Sequence, residues 1–106
     1  MRIHANREAC CSQDDQLGPL DRWYEVRDGC TLGDFVAAVM ASRFLQFSST
    51  HTTMLCRMGG KEAATVFSPY LLPARAAVYA LPTETPVRDI ASSVKVDFTF
   101  VGHRTA

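Results

Sequence analysis

Thr31-Leu32-Gly33-Asp34-Phe35-Val36-Ala37-Ala38-Val39-Met40 is the stretch that decides the fold. Leu32, Phe35, Val36, Val39 and Met40 fall at i, i+3, i+4, i+7 and i+8, the spacing that lines one face of a helix with apolar side chains. The start is marked as well. The Thr31 hydroxyl can accept from first-turn N–H groups, and Asp34 completes a capping-box-like pair and suits the positive helix end. These signals predict a helix from residue 32 to about residue 43, whose apolar stripe needs another layer to cover it.

Strand patterns flank that helix on both sides. Residues 22–27 combine Trp23, Tyr24 and Val26 and end at Asp28-Gly29, a strand followed by a turn. Residues 2–6 form a further strand, separated from it by a polar stretch with Gly18-Pro19. After the helix, residues 52–58 and 61–68 joined by Gly59-Gly60 predict a hairpin, the two glycines supplying positive φ angles. In that register Arg57 faces Glu62, while Met54, Cys56, Met58, Ala63 and Phe67 share the core face.

Residues 69–86 contain four prolines, which exclude a long regular element, although residues 76–81 fit a short strand. Thr85-Pro86 ahead of Val87, Asp89 and Ile90 predicts a capped helical turn. Val94, Val96, Phe98 and Phe100 then alternate with Lys95, Asp97 and Thr99 as a half-buried strand. The element order predicts an α+β fold, a β-grasp-like mixed sheet packed on one main helix. The alternative is a ferredoxin-like split βαβ arrangement in which residues 86–92 become a second helix.

A chain of 106 residues is expected to form a single domain over 1–106. Its apolar fraction of 47% and charged fraction of 21% fit a folded protein rather than a disordered one. Eleven basic and eleven acidic residues are scattered along it, with no basic stripe to neutralise phosphates, so no nucleic-acid partner is expected. Residues 1–6 lack the apolar region of an export signal, and no apolar run approaches the roughly 18 residues of a membrane span. The expectation is a cytoplasmic protein with no membrane partner and with reduced cysteines.

Asn6-Arg7-Glu8-Ala9-Cys10-Cys11-Ser12-Gln13-Asp14-Asp15 resembles a group of small uncharacterised bacterial proteins of unknown function. In these an N-terminal strand ends in an Asn-Arg or similar pair, followed by a cysteine-containing segment and an Asp-Asp pair. The resemblance runs loosely through Trp23-Tyr24 and Thr31-Leu32-Gly33-Asp34. It implies a context, mobile gene-cassette cargo of integron type or an immunity-like binder, and no particular activity.

Cys10-Cys11 with Asp14-Asp15, and His4 nearby, is the densest chemical cluster. Adjacent cysteines cannot both turn inward to a tetrahedral ion without strain, so no metal and no cofactor are expected. Cys10, Cys11 and Cys30 are the candidate reactive thiols, the first two beside Arg7 and the last just before the helix N-terminus, where the dipole favours thiolate. His4, His51 and His103 sit in no catalytic motif, residues 48–53 read as a hydroxyl-rich linker, and Gly59-Gly60-Lys61 lacks the spaced glycines of a phosphate loop. No catalytic residue is assigned.

Three functional readings remain open. The favoured one is a non-catalytic binding or protein-interaction domain, homo-oligomeric through Phe44, Leu45 and Phe47 or through Tyr70 and Tyr79, which lie in segments more apolar than loops require. The second is a small-molecule-binding domain with a cavity between helix and sheet lined by Trp23, Phe35, Met40, Met54 and Phe98. The third is a thiol-dependent enzyme or redox sensor.

Overall fold

The helix expected from the apolar stripe is α1 (Leu32–Ala41) in the computed structural model, which describes residues 1–9, 20–48, 50–90 and 95–101. Thr31 Oγ1 accepts from the Asp34 N–H at 3.2 Å, so the N-cap works as its chemistry predicts. The helix stops short of the expected end because Arg43 adopts φ 58, the left-handed conformation that terminates helices. Leu32, Phe35, Val36 and Val39 are buried, which is the face the spacing picks out.

That face is covered by a six-stranded sheet. Its strands are β1 (Arg2–Arg7), β2 (Asp21–Glu25), β3 (Thr53–Met58), β4 (Lys61–Phe67), β5 (Val78–Tyr79) and β6 (Lys95–Phe100), in the order β2-β1-β6-β3-β4-β5. β1 and β6 pair in parallel and every other neighbouring pair is antiparallel. With α1 and the single turn α2 (Val87–Ile90), this is an α+β architecture. Val94 lies outside the described residues.

Alternation selects the inward residues. Ile3, Ala5, Tyr24, Val96, Phe98, Met54, Cys56 and Val66 are buried in one cluster with the helix stripe. The Tyr24 ring meets Phe35 edge-on at 5.7 Å, and its hydroxyl lies 2.6 Å from Ser42 Oγ at the helix end. Arg7 is buried too, its guanidinium 5.7 Å from the Phe44 ring.

The β3–β4 hairpin turns at Gly59 (φ 58) and Gly60 (φ 85), as the two-residue turn requires, and Arg57 faces Glu62 as expected. One feature departs from simple alternation. Cys56 pairs with Ala64, which leaves Ala63 as an extra residue in a β-bulge and advances the alternation of β4 by one. Val66, paired with Met54, therefore takes the helix side, and Phe67, expected there, pairs with Thr53 on the far face. Phe67 is still buried, with the Arg75 guanidinium 3.9 Å from its ring centroid.

The chain from β5 to α2 crosses the start of α1. The Thr83 carbonyl accepts from the Gly33 N–H (2.9 Å) and the Thr85 carbonyl from the Leu32 N–H (2.8 Å), satisfying two of the donors a helix N-terminus leaves unpaired. The Val87 N–H in turn donates to the Cys30 carbonyl (2.9 Å), and Val87 and Ile90 of α2 are buried in the core.

Candidate functional site

Past the helix end the chain reverses at Arg43, and Phe44 and Leu45 turn inward, 5% and 7% exposed. Both expected interface residues therefore pack into the core, and Leu45 also lines the groove described next. Phe44 faces the Tyr24 ring edge-on at 6.3 Å and fills space that the ten-residue helix leaves uncovered. Phe47 stays half-buried against the core edge.

Opposite this segment, β4 ends in a turn at Ser68. The Ser68 N–H donates to the Thr52 carbonyl at 2.8 Å, while Ser68 Oγ accepts from the Tyr70 N–H at 3.2 Å, which aims Pro69 and Tyr70 outward. The two segments form the walls of a groove of about 350 Å³ with Met40, Leu45, Phe47 and Pro69 as apolar lining and Arg43 as its one charged lining residue. It continues past Phe47 and Tyr70 into a second recess of about 380 Å³ bounded by Ser48, Thr52, Ser68 and Leu71. Tyr70, which lines both recesses, is 78% exposed, and Leu72, next in the chain to the lining residue Leu71, is 96% exposed.

The hydroxyls near this groove organise the loop. Ser48 Oγ accepts from the backbone N–H groups of His51 (3.0 Å) and Thr50 (3.4 Å) and lies 3.2 Å from His51 Nδ1. A serine oxygen already engaged by two amides is a turn acceptor rather than an activated nucleophile. His51 also packs edge-on to Phe100 at 4.9 Å.

The five residues expected to share a ligand cavity are divided among three places. Phe35, Met54 and Phe98 are closed into the core, and Met40 lines the groove. Trp23 is 48% exposed on the far face, stacked on the His4 ring at 4.5 Å with the Arg2 guanidinium 4.6 Å from its centroid. Of the two adjacent aromatic residues in β2, Tyr24 is the one opposite Ile3, so it takes the inward position and Trp23 is turned out. Tyr79, expected at an interface, is half-buried on β5.

Cys10 and Cys11 lie outside the described residues. Cys30 is buried, and burial first, then the Asp34 carboxylate, push its pKa up, against a smaller lowering by Arg27. The shift runs opposite to the thiolate expected at that position, with desolvation as its largest cause. Cys56 is pushed up to about 12 by burial, with Asp97 adding to it. Among the described residues no group of three or more His, Cys, Asp or Glu side chains is placed to hold a metal ion, and no helix is long and apolar enough to cross a membrane.

The groove residues that sequence reasoning missed are Arg43, Gln46 and Pro69. Their only local sign is a cation ahead of an apolar run at 44–47 and a proline directly after a strand. No protein-family model, curated protein or solved structure matches the chain.

Proposed function

We propose that the chain is a non-catalytic protein-interaction domain that pairs with a second copy of itself through the groove and the exposed apolar residues beside it. The observation that carries this reading is the juxtaposition of a recess and a projection on one patch. Met40, Leu45, Phe47 and Pro69 form an apolar hollow whose rim residue Tyr70 stands out into solvent, followed two positions on by the exposed Leu72. A two-fold interface brings the same patch of both subunits together, so it needs both a knob and a hole on that patch.

The other readings draw less support. The core positions that a helix–sheet cavity needs are filled, and the described thiols, Cys30 and Cys56, both have pKa values raised by burial, which disfavours nucleophilic thiolate. Their free state suits a cytoplasmic setting. A self-pairing binder is in keeping with the resemblance to small bacterial cassette or immunity-like proteins.

The architecture is best read as β-grasp-like. Antiparallel β1 and β2, the helix α1, and a last strand inserted between β1 and β3 and parallel to β1 support it. In a split βαβ unit an antiparallel strand separates the two parallel ones, whereas here β1 and β6 are direct neighbours.

Sedimentation equilibrium tests the pairing. The expected result is a dimer at micromolar concentration, and a monomer for Leu72→Glu with an unchanged circular dichroism spectrum. A wild-type chain that stays monomeric into the millimolar range, or a Leu72→Glu variant that dimerises as well as wild type, overturns the reading.

A further inference from the structure

The two edges of the sheet are built differently. β2, at one end, carries Asp21, Arg22 and Glu25 among its five residues, charges of the kind that keep an edge strand from pairing with another chain. β5, at the other end, lies within Ala76-Ala77-Val78-Tyr79-Ala80-Leu81, a run with no charge and no proline. Val78 in it is 57% exposed.

Register decides which backbone groups of β5 are engaged. Val78 pairs with Thr65 and Tyr79 with Ala64, and the Ala80 N–H donates to the Ala63 carbonyl at 2.9 Å. Hydrogen-bonded and non-hydrogen-bonded pairs alternate along an antiparallel ladder, so Val78 also directs its N–H and C=O to β4, while Ala77 and Tyr79 direct theirs away from it. No turn or loop among the described residues supplies a backbone partner to either. The same alternation places Val78 on the face away from α1, in line with Thr65 and Leu55, and Tyr79 on the helix side, in line with Ala64 and Cys56.

We infer that β5 pairs edge to edge with β5 of a second copy, antiparallel about a two-fold axis at Val78, so that the two sheets join into one. The inference rests on the self-pairing reading and names the geometry by which the copies meet. In this register the strand is complementary to itself. Ala77 and the partner's Tyr79 exchange N–H···O bonds in both directions, using the groups that β4 leaves over. On the helix side each Tyr79 ring meets only the methyl group of the partner's Ala77, and on the far face Val78 meets the partner's Val78 at the close spacing of a non-hydrogen-bonded pair. No charge opposes a like charge. The same operation on β2, centred on Trp23, would set Asp21 against the partner's Glu25. Leu72 precedes Ala77 by five residues, no more than about 18 Å of extended chain, so the groove patch and this edge can belong to one interface.

Amide hydrogen exchange of the full chain, read at concentrations below and above dimerisation, tests the edge together with a charge swap at its centre. The Ala77 and Tyr79 amides are expected to exchange slower by on the order of tenfold or more in the dimer. Val78→Lys and Val78→Glu alter a side chain that faces outward, so each should keep the circular dichroism spectrum while setting like charges opposite one another, and each should sediment as a monomer. Mixed in equal amounts the two should associate again, because the lysine of one then faces the glutamate of the other. Ala77 and Tyr79 amides that exchange equally fast in monomer and dimer, or that another part of the chain already protects in the monomer, overturn the inference. So does a Val78→Lys variant that dimerises as well as wild type, or a mixture that associates no more than either variant alone. These failures in a wild-type chain that does dimerise sink the edge and leave Leu72→Glu to decide the groove. A wild-type chain that stays monomeric into the millimolar range sinks both.

Discussion

The β3–β4 hairpin and the connection at 68–86 are neighbours in sequence and are held in place by opposite means. Six inward residues of the hairpin, Met54, Cys56, Met58, Ala63, Ala64 and Val66, are at most 1% exposed, and both its strands are paired along their length. In the connection only Val78 and Tyr79 join the sheet, and most side chains face outward. Its side-chain anchors are few, Ala77, Tyr79 and Leu81 packed part-buried on the core and Arg75 on the Phe67 ring, and backbone adds to them: the Ala80 N–H donates to the Ala63 carbonyl, and the Thr83 and Thr85 carbonyls accept from the first turn of α1. The hairpin is stabilised mainly by its own buried side chains, whereas the connection relies more on donors and acceptors that other elements leave over and on a few part-buried side chains. Side-chain substitutions should therefore be costly throughout the hairpin interior and tolerated at the exposed positions of the connection, such as Leu72.

The largest effect tests the buried side of that contrast. Phe35, fully buried where the helix meets the sheet, should cost about 3–5 kcal/mol when replaced by alanine, read as a lower chemical denaturation midpoint. An unshifted midpoint would mean that the helix stripe does not carry the core.

A second effect is electrostatic and lies in the hairpin itself. The Cys56 thiol ionises only near pH 12 in the folded chain, against 9.0 for the ordinary thiol, so the folded state disfavours thiolate. Stability from this group is fully present below pH 9 and is lost as pH rises from about 9 to about 12. Cys30, Tyr24 and Tyr79 shift in the same direction through burial. Denaturation curves across that window should show a steeper decline for wild type than for Cys56→Ala, which starts lower at neutral pH. Parallel declines would sink the assignment.

The smallest effect belongs to the connection. Leu72→Ser, at a side chain 96% exposed, should change stability by no more than about 0.5 kcal/mol when the chain is dilute enough to be monomeric. A loss as large as that of Phe35→Ala would show that the connection packs like the hairpin and erase the contrast.

The candidate groove was only partly legible in the sequence. Apolar excess at 44–47 and 70–72 marks both of its walls, but composition does not distinguish residues that fill a short helix's end from residues that remain outside. Phe44 and Leu45 went inward because α1 stops at Ala41 and leaves Tyr24 uncovered beyond it, while Tyr70 and Leu72 follow the turn at Ser68 into solvent.

By itself the sequence determined the local elements: the helix starting at Leu32, the hairpin around Gly59-Gly60, a short strand within 76–81 and the alternating last strand. Each is written in a periodicity or a turn chemistry confined to a few consecutive residues. Tertiary structure alone decided the parallel pairing of β1 with β6, the bulge that turned Phe67 to the far face, the choice of Tyr24 over Trp23 as the inward ring, and the capping of α1 by Thr83 and Thr85. These depend on which groups far apart in sequence are left unpaired when the layers close, and no local pattern encodes that.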